Sequence, residues 1–239
     1  MAVTTDQGDA FLLAEDEPRR APRSCCGCCS RLSAGLVHDW VNIGVLSLVF
    51  VLASIGILSG EDSVWHTVAI AVMCAYLAGD VVWIAVNPSM VKTPKAILAH
   101  HAVTLIVIMD TIESASHRAN ASHALIVEIN TVLLTLRRIL GRPLWCEIGF
   151  YLTWVGIRLV WFPALGAALL ASTWGRQDEL AALLAPRLPA LLFKMPDPPV
   201  RSYASISFAV VVVLQFYWTI VIWQTVKGEK SKPLESKSS

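Results

Sequence analysis

Charge is what this 239-residue sequence has least of: Asp, Glu, Lys and Arg together make up 15% of it, against about 25% in soluble domains. Hydrophobic residues make up 55% and the mean hydropathy is +0.59. That balance excludes an ordinary soluble globular domain. A net charge of +1, with no broad basic stripe, excludes nucleic-acid binding. Spaced cysteine pairs are missing as well. Of six cysteines, Cys25, Cys26, Cys28 and Cys29 lie together as CCGCC, while Cys74 and Cys146 stand alone. Neither a disulfide framework nor the separated ligand pairs of a zinc module is implied. Residues 1–18 are acidic, without a basic n-region or a long apolar core, so no signal peptide is expected. No internal repeat is evident, which argues against an inverted-repeat transporter.

What the sequence does have is apolar runs of span length. A hydrocarbon core of about 30 Å is crossed by about 20 apolar residues. Runs at 40–59, 64–86, 94–109, 123–140, 148–170 and 205–225 predict an all-α integral membrane bundle of about six transmembrane helices. Residues 1–35 read as a disordered tail, 36–226 as the transmembrane domain and 227–239 as a second tail. Asp110, Glu113, His117 and Arg118 mark a polar loop, with a formal sequon at Asn120 just beyond it. The connection 172–204 contains LAALLAPRLPALLF, too short and too broken by Pro186, Arg187 and Pro189 to cross, and is expected at the interface.

The basic residues set an orientation. Arg19, Arg20, Arg23 and Arg31, then Lys92 and Lys95, then Arg137, Arg138 and Arg142, then Lys227, Lys230 and Lys232 all fall on one side of a six-span arrangement. Basic loops stay in the cytosol, so both termini are expected there. The CCGCC cluster follows basic residues and precedes the first span, the setting of S-acylation at Cys25, Cys26, Cys28 and Cys29.

Ionisable residues inside spans are few: Asp80, His100, His101, Glu128 and Arg158. Each costs about 2.5–3.5 kcal/mol at a helix centre on insertion scales, so each marks a candidate site. At 1.5 Å per residue, Asp80 lies roughly 10 Å and the histidines roughly 8 Å from the basic ends of their spans, in one plane. Glu128 and Arg158 fall nearer the middle, where an ion pair would relieve both. Adjacent helical residues diverge by about 100°, so one histidine is expected to enter a central pocket and the other to meet a neighbouring helix. Thr104 shares their face and is placed to orient an imidazole. Glu128, Thr131 and Thr135 form a polar stripe on the fourth span. No metal site is expected: the multi-histidine boxes of membrane di-iron enzymes are absent, and neighbouring helical ligands diverge.

The segments YLAGDVVW, ILAHHAVTLIV and above all EINTVLLTLR, Glu128 to Arg137, resemble the TLC-domain family, the membrane domain of ceramide synthases and their non-synthase relatives. Against the fourth-span pattern E-L-S-T-P-F-L-N-L-R, residues Glu128, Thr131, Leu134, Leu136 and Arg137 match. Asn130, Val132 and Thr135 depart from it. The resemblance covers about residues 40–225. The second acidic motif of the synthases, similar to H-D-x-x-D-x-x-L-E, is replaced here by HALIVEINTVLL. The chain therefore resembles the non-synthase branch, whose members are linked to membrane lipid composition in the endoplasmic reticulum or plasma membrane.

Two functional expectations follow. In the first, the chain binds a membrane lipid, through an acyl chain, sphingolipid or phospholipid, and regulates membrane lipid homeostasis without a cofactor. His100, His101, Asp80, Thr104, Glu128, Thr131, Thr135 and Arg158 would contact the ligand. In the second, it is an acyltransferase with acyl-CoA as co-substrate. His100 or His101 would deprotonate an amine or hydroxyl acceptor while Asp80 holds the imidazole tautomer.

Overall fold

The computed structural model describes residues 26–91, 93–112, 114–184 and 201–231. These form helices α1 (Cys26–Ser59), α2 (Val64–Val86), α3 (Pro94–Asp110), α4 (Ala115–Leu125), α5 (Glu128–Ile139), α6 (Leu144–Thr153), α7 (Phe162–Thr173), α8 (Gln177–Leu184) and α9 (Ser202–Ser231). A 3-10 turn at Pro88–Met90 follows α2, and a π-helical segment at Trp154–Trp161 joins α6 to α7. Among the described residues there is no strand.

Five segments are long and apolar enough to cross a membrane: Ala34–Ser59, Val64–Val86, Ala115–Ile139, Leu144–Thr173 and Ser202–Gln224. With the apolar surface they leave outward, such as Leu58, Val86, Leu144 and Leu152, they make the chain an integral membrane helical bundle. The remaining apolar run is α3, which has 17 residues and so spans about 25 Å. It starts at Pro94, whose fixed φ suits a first helical turn, and it packs between α2 and α9.

The ends of the elements have local causes. Ser63 Oγ accepts the Trp65 N–H at 3.4 Å and opens α2, and Ser114 Oγ accepts the His117 N–H at 3.1 Å and opens α4. Helix therefore replaces most of the polar loop expected between the third and fourth spans. The polar side chains of α4 are inside the protein: Ser116, Asn120, Ser122 and His123 are all buried. Asn120 Nδ2 donates to the Ser116 carbonyl of its own helix at 3.0 Å. The span predicted to be interrupted at Arg158 is interrupted by π-helix. Pro163 lies two residues into α7. Lacking an N–H, it cannot continue the hydrogen-bond ladder from the turn before it, and that turn widens.

The first helix starts at Cys26, inside the stretch expected as a tail, but Cys25 and residues 1–24 lie outside the described residues. The S-acylation expectation rests on side chains that likewise lie outside them. Of the interfacial connection, α8 covers Gln177–Leu184, and residues 185–200 also lie outside the described residues.

Two apolar clusters hold the bundle. Leu46, Val49, Ala53, Ile70, Met73 and Leu77 pack α1 on α2, with Leu125 and Val132 closing over them from α4 and α5. Val127, Phe162, Leu165, Phe208 and Val211 pack α7 on α9, and the rings of Phe162 and Phe208 stack with centroids 5.0 Å apart. At the far end of α1 the chain reverses at Gly60, whose φ of +97° is closed to most residues. There the buried His66 ring donates from Nε2 to the Gly60 carbonyl at 3.1 Å and accepts the Ser122 hydroxyl on Nδ1 at 2.7 Å. The ring lies against Gly56, where an added Cβ would stand 2.7 Å from Nδ1.

Substituting Gly56→Ala should therefore push a doubly hydrogen-bonded ring out of place and lower the stability of the detergent-solubilised protein by about 1–3 kcal/mol. Gly44→Ala, which meets nothing within 4 Å, is the control and should leave the thermal-unfolding midpoint unchanged or raised.

Candidate functional site

Asp80 stands in the last turns of α2, 8% exposed, and its two oxygens are divided between two other helices. His38 Nε2–H donates to Oδ1 at 2.6 Å from α1, and His101 Nε2–H donates to Oδ2 at 2.6 Å from α3. A carboxylate can only accept, so both rings carry their proton on Nε2. His38 is held further. Its ring stacks on Trp83 at 3.6 Å and 10°, and its Nδ1 accepts from Asn42 Nδ2 at 3.4 Å. The Asn42 Oδ1 in turn accepts the Tyr76 hydroxyl at 3.3 Å. Of the expected group of Asp80 and the histidine pair, the structure joins His101 directly to Asp80, with His38 as an additional member. Helical spacing of His38 and Asn42, four apart on one face, was the available signal for it.

The two adjacent histidines diverge as helical geometry requires. His101 turns to Asp80, while His100 meets the edge of Trp218 on α9, with centroids 5.7 Å apart and planes at 77°. Nδ1 of His100, Nδ1 of His101 and Oγ1 of Thr104 are all buried without a hydrogen-bond partner. Thr104 therefore does not orient either imidazole, contrary to the expectation from its spacing. On a straight helix these side chains share a face but point past one another.

Arg158 corrects a second expectation. Among the described residues no ion pair joins it to Glu128. The π-helical turn aims its guanidinium at neutral oxygens instead: Nε donates to Asn130 Oδ1 at 2.8 Å, Nη1 to Gln215 Oε1 at 2.6 Å and Nη2 to Thr131 Oγ1 at 3.0 Å. It also lies over the Trp154 ring, 5.0 Å from the centroid. Asn130 is fixed by donating to the Phe150 carbonyl at 3.0 Å and to Thr153 Oγ1 at 2.9 Å. Glu128 lines the same cavity as Arg158 and His101. Thr135 stays out of the site: it is buried and donates to the Thr131 carbonyl of its own helix at 3.0 Å.

These groups line one cavity of about 1070 Å³, at the top of the range of about 300–1,000 Å³ usual for ligand pockets. His38, Asp80, His100, His101, Thr104, Glu128, Thr131 and Arg158 are in its wall, and Thr135 is not. Val107, Phe162, Phe208 and Val211 make part of it apolar, and Asp39, Arg137, Arg138, Arg142 and Glu147 line it where α5 ends and α6 begins. Among the described residues no three His, Cys, Asp or Glu side chains are grouped as metal ligands would be.

The family model described as the TLC domain matches residues 38–224, which takes in every residue of the site just described. Comparison with curated proteins and with solved structures returns no match.

The shared carboxylate sets a rank order. Asp80→Asn forces one amide N–H against an imidazole N–H, and should cost about 2–3 kcal/mol, as lost charged hydrogen bonds do. His100→Ala, which removes ring contacts to Trp218 and His101 and no hydrogen bond of Nδ1, should cost less. Thermal unfolding of the two purified variants in one detergent checks the order.

Proposed function

The chain belongs to the TLC-domain family, and from that premise we propose that its bundle holds a membrane lipid in the cavity around His100 and His101 and acts in membrane lipid homeostasis. The observation that carries this reading is a large cavity with both kinds of wall. One part is apolar, at Val107, Phe162, Phe208 and Val211. The other contains buried polar atoms with no protein partner, on His100, His101 and Thr104. Native proteins leave few such atoms unpaired, and a ligand headgroup is one way to satisfy them. An acyl chain would take the apolar part, with Arg158 and Gln215 beside its polar end. The basic ends of the spans support cytosolic termini, and the family resemblance supports a location in the endoplasmic reticulum or plasma membrane.

Full-length protein purified in mild detergent should retain lipid detectable by native mass spectrometry. The double variant His100→Ala/His101→Ala should retain several-fold less and alter the lipid profile of cells that express it. Absence of bound lipid together with an unchanged profile would overturn the reading.

One observation favours acyl transfer as a second reading. The Asp80–His101 hydrogen bond fixes a proton on Nε2, so the lone pair of the neutral ring lies on Nδ1, the atom a general base would use. In that reaction the acceptor hydroxyl or amine gives its proton to the imidazole as its oxygen or nitrogen bonds the acyl carbon. The carbon–sulfur bond of acyl-CoA breaks, and the proton leaves on the thiol. Purified protein given labelled acyl-CoA with sphingoid bases and lysolipids should then form a product that His101→Ala abolishes. No His101-dependent product with any acceptor is the result that would dismiss it.

A further inference from the structure

Helix α9 packs on α3, on α7 and on the π-helical segment, and to no comparable extent on α6. From the π-helical segment two side chains reach across to it. Arg158 Nη1 donates to Gln215 Oε1 at 2.6 Å, and Trp154 Nε1 donates to Thr219 Oγ1 at 3.0 Å. One turn nearer the start of α6, both elements line the cavity: α6 through Phe150 and Tyr151, and α9 through Trp218 and Ile222. A seam therefore runs between α6 and α9, tied at Trp154 and Thr219, with the cavity behind it.

Tyr151 shows what the seam faces. It lines the cavity and is also 38% exposed. It stands seven residues into the span Leu144–Thr173, roughly 10 Å from its start, and its neighbours Ile148 and Leu152 are exposed and apolar. At that depth the outside is hydrocarbon. The other exposed residues of the cavity wall, Arg138, Gly141 and Arg142, lie at the turn between α5 and α6. A chain that entered by that turn would leave the hydrocarbon and pass charged side chains, whereas one that entered beside Tyr151 would stay among apolar and aromatic groups. The Tyr151 ring is held by the edge of Phe150, with centroids 5.2 Å apart, and by the Arg137 guanidinium carbon 5.9 Å from its centroid. Displacing it disturbs these ring contacts and leaves the hydrogen bonds of the seam intact.

We propose that the seam between α6 and α9 is a lateral gate through which the lipid passes between the bilayer and the cavity, with Tyr151 as the side chain that moves. The inference rests on the lipid-binding reading above and adds the route to it. The Trp154–Thr219 hydrogen bond limits the opening, because parting the seam beyond Tyr151 breaks it. The π-helical segment is the hinge: its widened turn brings both Trp154 and Arg158 onto α9, and Arg158 keeps the two elements together while the seam below it opens.

The test follows the rate at which bound lipid leaves. Full-length protein carrying its co-purified lipid is reconstituted into vesicles of deuterated phosphatidylcholine. Samples are re-extracted in mild detergent at intervals, and the light lipid still bound is read by native mass spectrometry. Tyr151→Trp, which adds bulk to the gate, should slow the loss several-fold. Trp154→Phe, which keeps a ring and drops the hydrogen bond to Thr219, should hasten it about fivefold. Leu152→Trp adds more bulk on the same helix, at a residue 69% exposed and outside the cavity wall, and should leave the rate as it is. A rate unaltered by Tyr151→Trp, or slowed equally by Leu152→Trp, overturns the lateral gate and leaves lipid binding standing. An unaltered rate in folded Trp154→Phe overturns the limiting role of that hydrogen bond. Absence of bound lipid from the unsubstituted protein overturns lipid binding itself.

Discussion

A carboxylate at membrane depth is tolerated only if its oxygens are taken, and the placement of Asp80 organises the first half of this bundle around that requirement. Its two oxygens draw one imidazole from α1 and one from α3, so three consecutive helices are tied at a single point. Neither ring can rotate freely. His38 is clamped between Trp83 and Asn42, and His101 is fixed by Asp80 itself. The apolar packing of Leu46, Met73 and Leu77 holds α1 against α2, but it is non-directional. The shared carboxylate is what selects one register of α3 relative to both.

The second half is organised by a cation in the same way and with different chemistry. Arg158 has three neutral oxygens about it, supplied by α5 and α9, and an aromatic face from its own segment. Neutral partners compensate less charge than a carboxylate would, while avoiding the desolvation of a second ion. Side chains of both ties line the same cavity. Filling it with apolar side chains would bury those ties completely.

Much of this was readable from residue type and spacing, because membrane helices must bond their own backbone and show themselves as apolar runs. The positions of Asp80, His100, His101, Glu128, Thr131 and Arg158 around one cavity follow from depth and helical phase, and the divergence of the histidine pair follows from the 100° step. What escaped was non-local. His38 lies before the first apolar run and pairs across 42 residues, so span-by-span counting of polar groups passes it by. Gln215 sits inside a VVVV-rich run, where one amide is easily taken for an isolated polar residue. The Glu128–Arg158 pair failed because charge complementarity says nothing of where a π-helical turn points a side chain. Thr104 and Thr135 failed because helical spacing specifies a face and leaves the hydrogen bond open. The polar sequence of α4 reads as a loop until Ser122 is seen to serve His66.

The brevity of α3 has a consequence for the bilayer itself. A helix of 17 residues, about 25 Å long, is roughly 5 Å short of a hydrocarbon layer of about 30 Å. Its neighbours on both sides, α2 and α9, are long enough to cross. A bilayer crossed by α3 would have to thin locally or let water and headgroups dip toward the helix ends, at a cost of a fraction of a kcal/mol per Å. The histidine pair is carried by a helix shorter than that layer, so the thickness of the surrounding membrane would bear directly on how far the site lies from its surface.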